Sequence, residues 1–273
     1  MSLIEIKNAA FAYETKEVFA NVSLKVEAGE ICCLIGPNGC GKTTLLDCLL
    51  GIRQCKSGEI YVKDRSVKDY KRYELSREVA YVPQIHEKTF PYQVLQVVLM
   101  GRAAYINYFS APDKDDEAIA RDALAIVGLS DLADKPYTQL SGGEMQLVML
   151  ARALAQETNI IVMDEPTAHL DFKNELLFLE TVADLVKNKK VTILMATHML
   201  NHCFYFENKG LKVSLAMMNN NKLEEKGKPQ EILTEANLKK LYQIDARLMG
   251  LLLADGRELK QIVPISTIDK KEI

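Results

Sequence analysis

Ile31-Cys32-Cys33-Leu34-Ile35 runs directly into Gly36-Pro37-Asn38-Gly39-Cys40-Gly41-Lys42-Thr43 and then into Thr44-Leu45-Leu46. Five consecutive apolar residues suit a strand buried on both faces. The glycines end it, and a helical pattern carries on to Leu50. Residues 36 to 43 match G-x-x-x-x-G-K-[ST], a pattern that chance supplies in roughly one chain of this size in a hundred. The strand before it and the helix after it are the context in which the pattern becomes a phosphate-binding loop. There the glycines let successive backbone N–H groups curl around a β-phosphate, and the helix N-terminus adds positive partial charge. Lys42 supplies a mobile cation to the β and γ oxygens, and the Thr43 hydroxyl is offered to Mg²⁺. Cys40 lies inside the loop near a helix N-terminus, a setting that favours thiolate. The expectation is that alkylating Cys40 blocks nucleotide binding and that ATP protects it.

A second buried run, Ile160-Ile161-Val162-Met163, ends in Asp164-Glu165-Pro166. Carboxylates at a strand end are commonplace. Paired with a phosphate loop, Asp164 is placed to hold Mg²⁺ and Glu165 to polarise an attacking water.

Outward from these two runs the rhythm is strand, helix, strand, which implies an α/β core with a mainly parallel sheet. The first thirty residues instead alternate in short bursts, Leu3–Ile6, Val18-Phe19 and Val22–Val26, and read as antiparallel strands joined by Gly58–Val62. From Pro91 to about Gln156 the pattern is helical, with segments at Val94–Leu99, Asp116–Val127 and Met145–Ala155. Asn159–Met163 and Lys190–Ala196 read as buried strands around a helix at Asn174–Lys187. Val213–Met218 and Lys222–Glu224 flank three asparagines that tolerate a left-handed turn. Glu231–Tyr242 reads as one short amphipathic helix. Leu248–Leu253 and Leu259–Val263 flank Asp255-Gly256, a pair suited to a type I′ hairpin turn. The organisation expected is a domain over 1–245 with a helical insertion at about 88–156, then an extension over 246–273.

Composition bounds the function. The chain has 273 residues, 34 basic against 37 acidic, which argues against a nucleic-acid binder with a broad basic face. No apolar run approaches the roughly 20 residues of a membrane-spanning helix, and the N-terminus lacks a secretory pattern. A cytoplasmic location is expected. The six cysteines show no metal-like spacing and read as reduced thiols, mostly buried.

Leu140-Ser141-Gly142-Gly143-Glu144-Met145-Gln146 starts a helix by itself, since Ser141 and Glu144 fit a capping box. Ser141, the two glycine N–H groups and the dipole also make a second phosphate receptor. This segment resembles the signature of ABC-type ATP-binding subunits, and further motifs follow in that family's order over residues 3 to 245. By the resemblance, Tyr13 stacks on adenine, and Gln84 in Tyr81-Val82-Pro83-Gln84 senses Mg²⁺ and the attacking water. Ala168-His169-Leu170-Asp171 is the loop that meets a second copy at the nucleotide, and His198 contacts the γ-phosphate. The fold implied is a P-loop NTPase core with an N-terminal antiparallel subdomain and an inserted helical subdomain. The cofactors implied are ATP and Mg²⁺.

The resemblance also implies two copies bound head to tail, with Ser141 to Gly143 of one closing on the ATP held by Lys42 of the other. Integral membrane permease subunits would be the partners, an extracytoplasmic substrate-binding protein an indirect one, and the location peripheral on the inner face of the membrane. Val98–Arg102, Asp122–Leu124, Leu147–Gln156, Thr167–Asn174 and His198–His202 resemble subunits of metal-chelate importers, which carry iron-siderophore, haem, cobalamin or molybdate. Met199-Leu200 departs from the Asp-Pro frequent there. In that family the helical segment after Gln84, here Pro91–Arg102, contributes a groove for the membrane subunit's cytoplasmic helix. The interval from Lys42 to Ser141 leaves no room for the long coiled coil of DNA-repair relatives. Two other functions fit the same motifs: a soluble ABC ATPase for iron–sulfur assembly, and a regulator that binds ATP without turnover, against which Glu165 and His198 argue. His169 and His202 read as loop or packing residues, and His86 carries no function.

Overall fold

The computed structural model describes residues 1–84, 91–107, 110–168, 170–254, 256 and 258–268. The chain divides into two units, Met1–Lys68 with Leu194–Ile273, and Asp69–Ile193.

The first unit opens with β1 (Ser2–Tyr13) and β2 (Lys16–Glu27), antiparallel neighbours whose inward residues Ile4, Ile6, Phe19, Val22, Leu24 and Val26 are buried. Then comes β3 (Ile31–Ile35), in which all five residues are fully buried, each aliphatic side chain contributing roughly 1.5–3 kcal/mol. α1 (Lys42–Leu49) follows, starting two residues before the expected Thr44. β4 (Ser57–Val62) pairs with β1, as the alternation predicts, and the short β5 (Arg65–Ser66) pairs with β4.

The second unit begins with α2 (Arg72–Ser76) and β6 (Val79–Val82). α3 (Val94–Leu99), α4 (Lys114–Ile126) and α5 (Gly142–Ala155) form the expected helical segment. Two of the three carry side-chain caps: Asp113 accepts from the N–H groups of Asp115 and Asp116, and Ser141 from that of Glu144. The helices are clamped by the buried Arg102, which donates to the buried Asp116 Oδ1 at 2.9 Å, to the Ala155 carbonyl at 2.9 Å and to Oε2 of the exposed Glu157 at 2.7 Å. β7 (Ile160–Asp164) pairs in parallel with β6, and all its residues are buried. α6 (Phe172–Lys189) then leads to β8 (Thr192–Ala196), the strand in which the chain passes back to the first unit.

There α7 (Asn201–Asn208) precedes β9 (Val213–Asn219), which lies parallel to β3 in the register Ile31↔Val213 to Ile35↔Met217. β10 (Lys222–Gly227) returns antiparallel to β9, with Asn220 and Asn221 at positive φ in the turn as the sequence predicts. The single helix expected over Glu231–Tyr242 is two, α8 (Pro229–Ile232) and α9 (Glu235–Tyr242). Pro229 starts the first, and Thr234 caps the second by accepting from Asn237 N–H, so the chain breaks at Leu233-Thr234. β11 (Ile244–Leu252) and β12 (Glu258–Thr267) form an antiparallel hairpin. Its described pairing runs to Leu252↔Glu258, short of the type I′ turn expected at Asp255-Gly256. Asp255 of that turn lies outside the described residues, as do His86 and His169.

All six cysteines are free thiols, and all but the half-buried Cys55 are buried. No helix among the described residues is long and apolar enough to cross a membrane.

Candidate functional site

In the first unit, β3 delivers the chain into the glycine loop and α1 takes it out. Gly36 has no room for a side chain: a Cβ there would lie 2.3 Å from the Met218 carbonyl oxygen and 2.7 Å from Cys40 Sγ. The loop is thereby pressed against the end of β9. Gly41 is the N-cap of α1 in a left-handed conformation, φ 102°, and provides no side-chain cap. The first N–H groups of α1, among them those of Lys42, Thr43 and Thr44, have no intrahelical acceptor, and its first turn holds no acidic residue. Backbone N–H groups left open in this way suit an anion. Lys42 is buried, and its Nζ donates to the carbonyls of Gly36 at 2.7 Å and Pro37 at 3.2 Å, which keeps the ammonium at the loop.

Cys40 corrects the expectation of a thiolate. Its side chain is buried, and burial raises its pKa despite the nearby Lys42. Its place in the loop lies in its backbone, whose N–H donates to the Pro37 carbonyl at 3.3 Å.

Two further residues belong to this unit. Thr197 N–H donates to the Leu34 carbonyl at 3.0 Å, so the exposed His198 follows a residue bonded to the strand that feeds the loop. Met199 N–H donates to Thr197 Oγ1 at 3.0 Å, which closes a tight turn around His198 without needing the Asp-Pro pair. His202 is buried with Nδ1 3.5 Å from Thr197 Oγ1, in keeping with a packing role. Tyr13, at the end of β1, is 44% exposed; Phe11 meets it edge-on at 5.0 Å, and the Arg53 guanidinium lies 4.9 Å from its ring centroid.

In the second unit, β7 ends at Asp164, a buried carboxylate, and the chain turns at Glu165 with φ 43°. Gln84, just past β6, donates from Nε2 to Glu165 Oε2 at 3.0 Å. Gln146 on α5 donates to the Pro83 carbonyl at 3.2 Å and so ties the helix of the serine-glycine motif to the residue before Gln84. Ser141 caps α5, and Glu144 accepts from Ser141 N–H at 2.7 Å. That bond holds the Glu144 carboxyl below the usual range. Gly143 is pressed against Asn174 of α6, so that a Cβ would lie 2.4 Å from Asn174 Cγ. Asn174 in turn donates to Asp171, from its backbone to Oδ1 at 2.8 Å and from its side chain to Oδ2 at 3.0 Å. Asp171 is therefore the N-cap of α6.

Gln146, Asn174 and Arg53 are the contributors that sequence reading missed. Only the Asp-x-x-Asn spacing of 171 and 174, a capping signature, could have signalled one of them.

The second unit also holds a cavity of about 810 Å³ bordered by Tyr73, Arg77, Leu99, Met100, Ala103 and Tyr105. Within the expected groove segment, Leu99 and Met100 line it, whereas Val94, Leu95, Val97 and Val98 are core.

A family profile described as ABC transporter matches residues 19–168. An uncharacterized ABC transporter ATP-binding protein of Haemophilus influenzae is 37% identical over 90% of this chain and 92% of its own length. The molybdate import ATP-binding protein MolC of the same organism is 36% identical over 88% of each chain. A solved structure described as an inward-facing metal-chelate type ABC transporter aligns over 100% of both chains, with 31% identity and a TM-score of 0.85.

Proposed function

The chain belongs to the ABC transporter family as an ATP-binding subunit that hydrolyses ATP, and on that premise we propose that two copies close around two ATP molecules to energise import through separate membrane subunits. The observation that carries the reading is the uncapped start of α1 with the Lys42 ammonium held at its loop.

Gly36, Pro37, Asn38, Gly39, Cys40, Gly41, Lys42, Thr43 and Thr44 hold the phosphates, chiefly through backbone N–H groups and the Lys42 charge. Tyr13 stacks on the adenine. Ser141, Gly142 and Gly143 of the second copy complete the same site, with Asp171 at the contact between copies. Glu165 accepts a proton from the attacking water as its oxygen bonds to the γ-phosphorus, the bond to the bridging oxygen breaks, and ADP leaves. His198 contacts the γ-phosphate, and Gln84, bonded to Glu165, reports its state. The Thr43 hydroxyl, the amide oxygen of Gln84 and the carboxylate of the buried Asp164 are oxygen ligands of the kind that suits a hard cation. Mg²⁺, when bound there, neutralises charge on the phosphates.

The cargo class is a metal chelate or an oxyanion of the molybdate kind, supported by the relative named for molybdate import and, in Helicobacter pylori, by a probable iron chelatin transport subunit 37% identical over 72% of this chain. The cavity beside Leu99 and Met100 receives a cytoplasmic helix of the permease, which makes the protein peripheral on the inner face of the membrane. A substrate-binding protein acts only through that permease. The ATP-binding domain is read as 1–245 with its helical part at about 88–156, and 246–273 as an extension. The iron–sulfur assembly reading has no counterpart among the relatives described above.

Phosphate release by the purified chain tests the proposal. Turnover with ATP and Mg²⁺ is expected, lost together with nucleotide binding in Lys42→Ala, and lost with binding retained in Ser141→Arg. Unchanged turnover in Ser141→Arg contradicts a site shared between copies.

A further inference from the structure

Arg53 lies in the connection between α1 and β4, outside every motif of the nucleotide site, yet its guanidinium sits over the Tyr13 ring at 4.9 Å and reaches the Phe11 ring at 6.0 Å. It is held there by Asp47, through side chain and backbone. Its Nε donates to Asp47 Oδ2 at 2.8 Å, and its own N–H and that of Ile52 both donate to the Asp47 carbonyl, at 3.2 and 2.9 Å. Three residues on, Lys56 N–H donates to the Ala10 carbonyl at 2.8 Å and fastens the same connection to β1, the strand that ends at Tyr13. Asp47 belongs to α1, whose first turn carries Lys42 and Thr43. One short turn thus links the helix that presents the phosphate loop to the ring at the far end of β1.

We propose that Arg53 is a positioning residue for the nucleotide base: stacked on Tyr13 and anchored by Asp47, it fixes the plane of that ring at a set distance from the phosphate loop, so that the base meets a prepared platform. The inference rests on the assignment of Tyr13 to adenine. The physical basis is twofold. A guanidinium over an aromatic face is attractive through the ring quadrupole, and Arg suits this task because its planar fork can stack and hold a carboxylate together. Tyr13 is 44% exposed, and the ring contact that remains to it without Arg53 among those described is the edge contact with Phe11. A ring that samples several orientations stacks less well on a base, because its ordering then falls on the binding step.

The prediction separates base from phosphate. Calorimetric titration of the full-length chain, in the presence of Mg²⁺, compares a non-hydrolysable ATP analogue with inorganic tripolyphosphate, which has the charge but no base. Arg53→Ala is expected to weaken the analogue roughly three- to fivefold, the size of one exposed cation–π contact, and to leave tripolyphosphate unmoved. Arg53→Lys restores part of the loss, and in turnover the defect falls on KM for ATP. An analogue affinity that is unchanged or tighter in Arg53→Ala overturns the proposal, because Arg53 would then be inert or would compete with the base. Equal losses for both probes overturn it too, since Arg53 would then act on phosphate. Lys42→Ala in the same titration is expected to lose both probes; if it loses neither, the nucleotide-site assignment itself fails, a result distinguishable from an inert Arg53.

Discussion

The side-chain amide of Gln84 donates to Glu165 Oε2 at 3.0 Å, and Glu165 occupies the left-handed region at φ 43°. A non-glycine residue there carries strain on the order of 1 kcal/mol. The carboxylate is therefore held by its surroundings at the end of β7. Glu165→Gln keeps an acceptor oxygen for Gln84 while removing the base. Hydrolysis is expected to fall roughly 100- to 10,000-fold with ATP binding retained, and light scattering with ATP should report a doubled mass. A variant that stays monomeric, or that turns over at the parent rate, contradicts the role assigned to Glu165.

Gly143 and Asn174 touch so closely that a methyl group forces them apart. Gly143→Ala should displace the Asn174 amide, weaken its bonds to Asp171 and loosen the start of α6. Overpacking of this kind costs roughly 1–3 kcal/mol. Thermal melting gives the size of the loss, and adding Asn174→Gly should recover part of it. No recovery would mean that the strain lies elsewhere.

Acid should loosen the helical part through Asp116. The hydrogen bond from Arg102 holds the Asp116 carboxyl below its ordinary range, so the unfolded chain binds this proton more readily than the folded one. The stability from the pair is complete above the ordinary aspartate range and drains away as pH falls through the lowered folded value. Asp116→Asn is expected to cost about 2 kcal/mol at neutral pH, in the range of a hydrogen bond to a charged group. It should also flatten the acid limb of a plot of urea midpoint against pH. An acid limb as steep as the parent's assigns the loss to other carboxylates.

Alkylation should find Cys55 before Cys40. Burial raises the Cys40 thiol, whereas Cys55 is half-buried and its pKa is lowered by the thiol of Cys48. Peptide mapping after brief iodoacetamide treatment at neutral pH should therefore show label on Cys55, with Cys40 labelled appreciably only as pH rises beyond the ordinary thiol range. Early label on Cys40 would mean that the loop opens readily.

Where one residue type and its immediate neighbours determine the structure, the sequence was readable. The apolar run before Gly36, the asparagine turn after β9 and the Ser141–Glu144 box all take the form their local chemistry dictates. Thr234 was hidden because its capping role interrupts an amphipathic pattern that otherwise continues from α8 into α9. Cys40 misled for a different reason: a helix N-terminus is visible in sequence, but the Gly36 backbone and the desolvation around the thiol are not. Asp171 carried a capping signal that a family role overshadowed. Arg53 is beyond local reading altogether, since its partners Asp47 and Tyr13 lie on different elements.

The parallel pairing of β3 with β9 sets a timetable for synthesis. Ile31–Ile35 emerge from the ribosome early, yet their partners Val213–Met217 and the Met218 carbonyl behind Gly36 come some 180 residues later. At roughly 5–20 residues per second, the nascent chain spends about ten seconds or more with a glycine loop that lacks its backing. A chain cut short before β9 is therefore expected to bind ATP more weakly than the full chain, however intact its glycine motif, which titration of the truncated chain would measure.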